Sequence, residues 1–369
     1  QTYPSISFMR RSKPASSVAI LGALVCCATL PAHAGKLRLT ATQTTQPIQI
    51  DGQLETAWQA AKPLTVRLDE LTYKPSTGYP GIKETDVEVR SLYDADNVYF
   101  VFKWEDPTQS QARWPWVKQQ DGTWQQQSNL DSTGNENFHY EDKLTVAWNI
   151  SEKGFAKKGC EQSCHMVDNG KIYDIPDTSA GRHFTAAPGQ TVDVWHWKSA
   201  RTAPVGRADD QYFDHSHNEN KEWGRKSDEN TGGGYKDNIP DGISAPVTQL
   251  GSTPKWMNGN PNSTDKFWIR DEDKVPFVDT FKPGDVIAGV ITQAYQGSRA
   301  DVSAKGVWQD GYWTVEVQRK RNTSAPLANE QDVQFDELGR VYHLGVAIYD
   351  NSQINHFYHP KAIEYRFAE

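Results

Sequence analysis

No long run of helical period occurs after residue 34, and the apolar residues fall instead into short alternating stretches. These stretches are rich in aromatic and β-branched side chains, which favour strands over helices. They cover residues 47–52, 64–68, 86–93, 98–104, 143–150, 286–294, 300–309, 312–319, 341–349 and 362–367. Two groups of short strands with apolar faces are typical of two sheets packed together. The pattern therefore predicts an all-β fold, a β-sandwich.

Two polar stretches interrupt the predicted strands. Residues 109–137 are rich in Gln and Trp, and residues 201–273 contain few β-branched runs and several turns rich in Gly, Asn and Asp. This composition predicts long surface loops inserted between sandwich strands. We therefore expect residues 35–369 to form a single β-sandwich domain with a polar insertion at about 201–273. Residues 54–61 predict one short helical turn that buries a tryptophan.

The first 34 residues have the order of a secretory signal peptide. A basic segment at residues 9–13 precedes an apolar run at residues 18–30, and residues 32–34 are a small-x-small cleavage site. The apolar run is shorter than a membrane span requires. We expect residues 1–8 to lie upstream of the true start, and the mature protein to be exported to the periplasm.

Composition argues against two further classes of protein. The mean hydropathy is −0.73, and no apolar run approaches 20 residues, so the mature chain is expected to carry no transmembrane segment. The net charge of −8 argues against a nucleic-acid partner, because such a protein needs a basic surface. Four cysteines are too few for a disulfide scaffold in a chain of 369 residues.

The mature chain keeps only two of its cysteines, Cys160 and Cys164, and His165 follows at once. The other two lie in the apolar run of the signal peptide, where a lipoprotein signal is the alternative to simple cleavage. Cys160, Cys164 and His165 form a C-x-x-x-C-H segment, one residue longer than the C-x-x-C-H signature of c-type haem attachment. In that chemistry both thiols add to porphyrin vinyl groups, and the histidine supplies an axial imidazole. The segment predicts one covalently attached haem c.

Three other interpretations of this segment stay open. A disulfide between Cys160 and Cys164 is compatible with an oxidising compartment, although so short a loop constrains the unfolded chain little. A zinc site needs further ligands, and adjacent Cys164 and His165 are awkward ligands for one tetrahedral ion. A dithiol redox motif is normally C-x-x-C beside a βαβ unit, which this sequence lacks.

A second feature is the segment VDVWHWK at residues 192–198. With the period of a strand, Trp195 and Trp197 share one face, while His196 and Lys198 share the other. Trp195 and Trp197 are therefore candidates to wall a porphyrin. The alternative is that both indoles fill the core of the sandwich.

Three segments taken together resemble a known family. They are IDGQLETAW, TDVEVRSLYDADNVYFVFKW and VDVWHWKSARTAPVGRADD. Their order is similar to that of the ethylbenzene dehydrogenase-like haem-binding domain, also called the cytochrome c-552/DMSO reductase-like haem-binding domain, and the resemblance spans residues 47–367. It implies a β-sandwich related to family 9 carbohydrate-binding modules, with haem held at one end. Some members bind b-type haem through Met and Lys, and others carry a Cys pair followed by His.

The resemblance, together with haem chemistry, suggests axial ligands. His165 is the expected proximal ligand, because it adjoins the covalent anchor. Where the b-type members have a methionine, the matching segment contains His183, which is the leading distal candidate because imidazole is a strong iron ligand. His196 and Lys320 are the other distal candidates, and Lys320 follows the strand on which the b-type lysine is expected. Met166 adjoins His165 and cannot easily reach the opposite haem face.

These observations predict an exported monohaem c-type cytochrome that transfers electrons and is not itself an enzyme. Its expected partners are redox proteins, among them a molybdenum enzyme or a membrane quinol-linked cytochrome. One alternative is a haem-bearing electron-transfer subunit of a molybdenum oxidoreductase complex. The other is a haem-free carbohydrate-binding module, in which Trp114, Trp116 and Trp124 stack on sugars.

Overall fold

A computed structural model describes residues 35–164, 171–172, 175–176, 183–217 and 223–368. Residues 36–369 form one unit by their internal contacts. The predicted signal peptide at residues 1–34 lies outside the described residues, and so does His165. Among the residues that are described, no helix has the length and apolar character needed to cross a membrane.

The N-terminal part of the chain is built from strands with one short 3₁₀ turn, Thr56–Ala60, which buries Trp58 as the sequence predicts. Its strands are β1 Arg38–Gln43, β2 Leu64–Leu68, β3 Glu70–Leu71, β4 Thr85–Tyr93, β5 Asn97–Glu105, β6 Trp116–Lys118, β7 Trp124–Gln126 and β8 Lys143–Asn149. Four of the predicted strands, at 64–68, 86–93, 98–104 and 143–150, are confirmed here as β2, β4, β5 and β8.

The middle part begins with the one-turn helix α1, Phe155–Lys158, which runs into a 3₁₀ turn, Gly159–Glu161. Two more 3₁₀ turns are Ala203–Val205 and Asp271–Asp273. The strands are β9 Lys171–Ile172, β10 Ile175–Pro176, β11 Val192–Lys198, β12 Asp209–Phe213, β13 Arg225–Ser227, β14 Gly232–Asp237, β15 Trp256–Asn258, β16 Ile269–Arg270 and β17 Lys274–Pro276.

The C-terminal part returns to longer strands, with a 3₁₀ turn at Ser298–Ala300 and a second one-turn helix, α2, Ala328–Gln331. Its strands are β18 Val286–Ile287, β19 Val290–Gln296, β20 Ser303–Gln309, β21 Tyr312–Lys320, β22 Tyr342–Tyr349, β23 Phe357–Tyr358 and β24 Ile363–Phe367. The predicted strands at 300–309, 312–319, 341–349 and 362–367 are confirmed as β20, β21, β22 and β24.

The long strands form two sheets that share β1. The first sheet has the order β13-β12-β11-β8-β22-β24-β1, and the second has the order β1-β4-β5-β21-β20. Residues 38–41 of β1 pair in parallel with β24, and residues 42–43 pair in parallel with β4. The other pairings along both orders are antiparallel. β1 therefore crosses from one sheet to the other and joins them at one edge.

The core of the sandwich is a cluster of aromatic rings contributed by both sheets. The ring of Trp148 on β8 lies 5.5 Å from that of Phe100 on β5 and 5.3 Å from that of Trp195 on β11. Phe335 and Tyr365 enclose Trp148 on its other sides, and their rings lie 5.0 and 5.2 Å away. The all-β sandwich predicted from the sequence is thus the observed architecture, with the apolar face of each sheet turned inward.

The two polar stretches are more regular than predicted. Residues 109–137 contain β6 and β7, and residues 201–273 contain β12 to β16. Part of both stretches packs around a second apolar cluster, whose buried members include Trp116, Trp124 and Ile269. The prediction of extended loops was wrong here because strands of two to six residues, set between Gly-, Asn- and Pro-rich turns, are too short to show a clear alternation.

The strand predicted at residues 47–52 does not form. The backbone N–H groups of Asp51 and Gly52 donate hydrogen bonds to the Glu316 carboxylate, at 3.0 and 2.7 Å, instead of pairing with another strand. The same carboxylate accepts a hydrogen bond from the indole of Trp58 at 3.1 Å. A buried acceptor on β21 therefore fixes this segment, and the local sequence carries no sign of it.

We expect Trp148→Ala to destabilise the protein by about 3–5 kcal/mol, because it leaves a cavity among four aromatic rings in the fully buried core. Denaturant-induced unfolding monitored by circular dichroism measures the change. Leu250→Ala, at a side chain that is 97% exposed, is the control and should change the free energy of unfolding by less than about 0.5 kcal/mol. Equal effects of the two variants would contradict the assignment of this core.

Candidate functional site

A cavity lies on the face of the first sheet that points away from the sandwich core. Residues of β8, β11, β12 and β22 line it, and along β8, β11 and β22 they alternate with core residues. On β11, Val194 and His196 face the cavity, whereas Trp195 and Trp197 lie in the core cluster. This corrects the prediction that the two indoles wall a cofactor: they belong to the opposite face of the strand and pack between the sheets.

The two thiols of the C-x-x-x-C-H segment lie at one end of this cavity. The Cys164 N–H donates a hydrogen bond to the Cys160 carbonyl at 2.9 Å, which is the spacing of one helical turn. Three intervening residues therefore bring both side chains onto the same side, and both line the cavity as free cysteines. Contact with the Cys160 thiol, together with burial, raises the pKa of Cys164 well above its usual value, so this thiol is protonated near neutral pH.

The floor beneath Cys160 is shaped by a residue without a side chain. Gly345 lies on β22, and a Cβ atom built there would stand 2.3 Å from the Cys160 sulfur. Gly159, directly before Cys160, has a positive φ of 55° and lies against the backbone of Lys361 and Ala362. Both positions let the cysteine-bearing turn lie directly on the sheet.

Two predicted distal candidates, His183 and His196, line the same cavity as the thiols. The ring of His183 stacks on Phe213 at 4.9 Å. His196 is 4% exposed, its Nδ1 lies 3.4 Å from the side-chain oxygen of Gln211, and its Nε2 is buried with no hydrogen-bond partner among the described residues. An imidazole nitrogen in that state is an available ligand for a metal.

The electrostatic surroundings of His196 keep its ring neutral. Burial is the largest cause, and the nearby positive charges of Lys198 and Lys143 add to it, so the pKa of His196 falls well below its usual value. Neutral imidazole is the form that coordinates iron. The ring also stacks on Tyr349 at 5.6 Å, which fixes its orientation.

A second cavity of about 300 Å³ adjoins the first and shares six of its lining residues, among them His183 and His196. Its walls carry five cationic side chains and no carboxylate among the described residues, and these cations are Arg113, Lys143, Lys198, Arg201 and Arg225. Three of them are held from behind by acidic partners: Lys198 by Asp209, Arg201 by Glu141 and Arg113 by Asp237. The ion pairs therefore fix these three cationic groups in position, and the same groups line the cavity.

The positive potential of this second cavity is visible in its titratable groups. Burial raises the pKa of Tyr235, but the charges of Lys198 and Arg201 outweigh it and lower the pKa to about 8. Burial, together with the charge of Arg201, lowers the pKa of Lys143 well below its usual value. The Lys143 ammonium donates a hydrogen bond to the Gln353 carbonyl at 2.7 Å. Anions are therefore favoured at this end of the cavity.

The sequence indicated the thiols and two of the imidazoles, but not the rest of the site. His356 was not among the predicted ligands, yet it lines both cavities, and burial lowers its pKa to about 4. The cationic residues come from β8, β11, β13 and the connections between strands, so no local motif unites them. Lys198 alone carried a signal, because the period of β11 places it on the face of His196.

The remaining predicted residues lie elsewhere. Lys320 is exposed at the end of β21 in the second sheet and does not line the cavity, so the structure gives no support to it as a distal ligand. The three tryptophans proposed as sugar platforms, Trp114, Trp116 and Trp124, are each at most 5% exposed, so they offer no open face to a sugar. No group of three metal-binding side chains among the described residues contains a cysteine.

The fold and site together define an all-β sandwich with a thiol–imidazole cavity on the outer face of one sheet. A family model for ethylbenzene dehydrogenase matches residues 55–361. This chain belongs to that family.

Other comparisons add little. No curated protein matches the chain significantly. Two solved structures of a family 9 carbohydrate-binding module from Caldicellulosiruptor kristjanssonii, one in complex with glucose and one with cellotriose, are similar with a TM-score of 0.33 each, at 7% and 8% identity. Each similarity covers 90% of this chain and 95% of the module. Similarity at this level carries no argument, and the sandwich is established by the strand pairing itself.

We expect Gly345→Ala to destabilise the protein by about 1–3 kcal/mol, because the added methyl group collides with the Cys160 sulfur and pushes the cysteine-bearing turn off the sheet. Equilibrium unfolding measures the cost. Gly339→Ala is the matched control, because nothing lies within 4 Å of a Cβ at that position. A Gly345→Ala variant as stable as the control would show that the turn does not lie on β22.

Proposed function

We propose that this chain is an exported c-type cytochrome that carries one haem and transfers electrons to or from a redox partner. The observation that carries the proposal is the convergence of two free thiols, a neutral buried imidazole and a cluster of cations around adjoining cavities. Each of these groups suits one part of haem c: the thiols its vinyl groups, the imidazole its iron and the cations its propionates.

Each part of the site has a definite task in this proposal. The S–H groups of Cys160 and Cys164 would add across the two vinyl double bonds, so that sulfur bonds to one vinyl carbon and hydrogen to the other without net oxidation. The cations beyond His196, among them Lys143 and Arg201, would pair with the propionates. When bound, haem supplies an iron that accepts and releases one electron. The chain supplies attachment, orientation and a largely buried setting.

The axial ligands follow from the same arrangement. His165 is proposed as the proximal ligand on the basis of the sequence motif. For the distal ligand we favour His196 over His183, because the Nε2 of His196 is buried, neutral and without a hydrogen-bond partner among the described residues. Coordination would satisfy this nitrogen and remove the cost of an unpaired buried polar atom.

The role of electron carrier, rather than enzyme, is also part of the proposal. Membership of the ethylbenzene dehydrogenase family supports a second form of it, in which the chain is the haem subunit of a molybdenum oxidoreductase complex. The two forms share the chemistry of the haem and differ only in the partner, which is a molybdenum enzyme in one and another redox protein, such as a membrane quinol-linked cytochrome, in the other. Export to the periplasm rests on the signal peptide predicted at residues 1–34.

Expression of the full chain in a bacterial host that matures c-type cytochromes tests attachment and export together. The intact mass of periplasmic protein should equal residues 35–369 plus one haem, and acid-acetone extraction should leave the haem on the polypeptide. The Cys160→Ser, Cys164→Ser double variant should be exported without covalent haem. Periplasmic protein that lacks haem, with a mass lowered by the two hydrogens of a disulfide, would contradict the proposal.

Visible spectra of single variants test the distal ligand. We expect His196→Ala to convert a low-spin haem to a high-spin one while the haem stays covalently attached, because the iron loses an axial imidazole. His183→Ala and Lys320→Ala serve as controls and should keep the low-spin spectrum. High-spin haem in His183→Ala, with an unchanged spectrum in His196→Ala, would assign the ligand to His183 instead.

A further inference from the structure

Four buried carboxylates converge on the core side of the first sheet, behind the strand that carries His196. Asp193 lies on β11, Asp210 on β12, Asp228 directly after β13 and Asp332 directly after α2. Their exposed fractions are 0%, 0%, 3% and 1%. Asp210 pairs with Trp195 across the β11–β12 ladder, so this group lies on the face opposite to the cavity and takes no part in the haem site.

The hydrogen bonds available to these carboxylates do not satisfy them. One oxygen of Asp193 accepts three hydrogen bonds, from Arg319 at 3.0 Å, the Val333 N–H at 3.0 Å and the Trp195 indole at 3.2 Å. Both oxygens of Asp210 are buried without a hydrogen-bond donor among the described residues, and the Asp228 oxygens have no donor there other than the neighbouring Asp332 carboxyl group. Buried carboxylate oxygens are otherwise almost always paired.

The charges buried in this group are also unbalanced, with an excess of negative charge. Arg319 is fully buried and forms an ion pair with Asp193, but it is one guanidinium beside four carboxylates, and Asp301 adds a further negative charge nearby. Burial, together with mutual repulsion, raises the pKa of Asp228 to about 9 and that of Asp210 well above its usual value. Burial also raises the pKa of Asp193 to about 7, although Arg319 opposes the shift. A cation would relieve this repulsion.

The carboxylate oxygens are close enough to share one ion. One oxygen each from Asp193, Asp210 and Asp332 lie within 4.8 Å of one another. Oxygens bound to the same calcium ion are at most about 4.6–5.2 Å apart, since each Ca–O distance is about 2.3–2.6 Å, so these three oxygens can reach a common ion. We propose that Asp193, Asp210, Asp228 and Asp332 bind a calcium ion between the edge of the first sheet and the segment that follows α2.

Calcium fits this group better than other common metals. All the ligands are hard carboxylate oxygens, without the nitrogen or sulfur atoms that zinc and copper prefer. Magnesium demands strict octahedral geometry and keeps several of its waters, whereas calcium accepts carboxylates in variable and bidentate arrangements. Asp332 also lines a surface cavity of about 150 Å³, through which a hydrated ion can approach.

A bound ion would connect segments that are far apart in the sequence. It would join β11, β12 and the residues after β13 to the segment after α2. The other face of β11 carries His196 and Lys198. Calcium would therefore stabilise the strand on which the cavity is built without contacting the cavity.

A second buried group of aspartates differs in its hydrogen bonding. Asp106, Asp142 and Asp350 also lie close together, but each accepts at least one backbone N–H, from Thr108, Ser110 and Asn351, and Ile82 respectively. The Asp142 carboxylate also accepts the Trp313 indole N–H at 3.0 Å. Every carboxylate in this group has at least one donor, although one oxygen of Asp106 and one of Asp350 have none among the described residues. The group therefore provides a matched control.

The experiment measures calcium content and thermal unfolding of the full exported protein, after treatment with EDTA and after the addition of calcium chloride. We expect one tightly held calcium per chain after desalting, and a Tm higher by about 5 °C at saturating calcium than in EDTA. Asp210→Asn should lose both the bound calcium and the shift in Tm, yet remain as stable in EDTA as the wild-type protein. Asp228→Asn provides a second test should the first variant fold poorly.

Asp106→Asn is the matched control, since it neutralises a buried aspartate in the second group. It should keep the calcium that depends on Asp210. A wild-type protein without calcium, or an Asp210→Asn variant that binds calcium as the wild-type protein does, would overturn the proposal. Loss of calcium in Asp106→Asn together with its retention in Asp210→Asn would also overturn it, because the ion would then belong to the other cluster.

Discussion

The rest of the structure depends on the alternation of side chains along β8, β11 and β22, which are buried on both faces. One face of these strands supplies the aromatic core shared with the second sheet, and the other supplies the wall of the cavity. Successive side chains of a strand point to opposite faces, so the register that places one set of side chains in the core also places the other set in the cavity wall. The position of His196 is therefore fixed by the packing of Trp195 and Trp197 on the opposite face, and these indoles contribute to the site only through the strand they hold.

The segment that carries Cys160 and Cys164 depends on a similarly close fit. Three residues between Cys160 and Cys164 complete one helical turn and bring both thiols to the same side, so the longer spacing needs no distortion of the turn. The absence of a side chain at Gly345 lets the sulfur of Cys160 lie against the sheet. Beyond the thiols, buried acidic partners such as Asp209 and Glu141 hold the cationic side chains in place. The site thus combines an apolar end that contains the sulfurs with a cationic end suited to carboxylates.

Much of the architecture followed from local pattern. Strands such as β5 and β21 were predicted within one or two residues of their ends, because both are long and rich in β-branched and aromatic residues. The short strands around Trp116 and Trp124 were predicted as loops, since two or three residues carry no readable period. The segment at residues 47–52 was predicted as a strand, but the buried carboxylate of Glu316 captures its backbone donors. That interaction joins residues more than 260 positions apart, and no local pattern records it.

The sequence by itself determined the fold class, the thiol pair and the two faces of β11, because alternation and short spacing are local properties of the chain. Only the tertiary structure decided that Trp195 and Trp197 face the core, and that His183 and His196 share a cavity with the thiols. It also decided that five cations from distant segments line the adjoining cavity, and that four aspartates lie close together on the opposite face of the sheet. These contacts join residues that are remote in sequence, and they are set by how the sheets pack. The local sequence around each residue is the same whether or not its partners lie nearby, so it cannot reveal them.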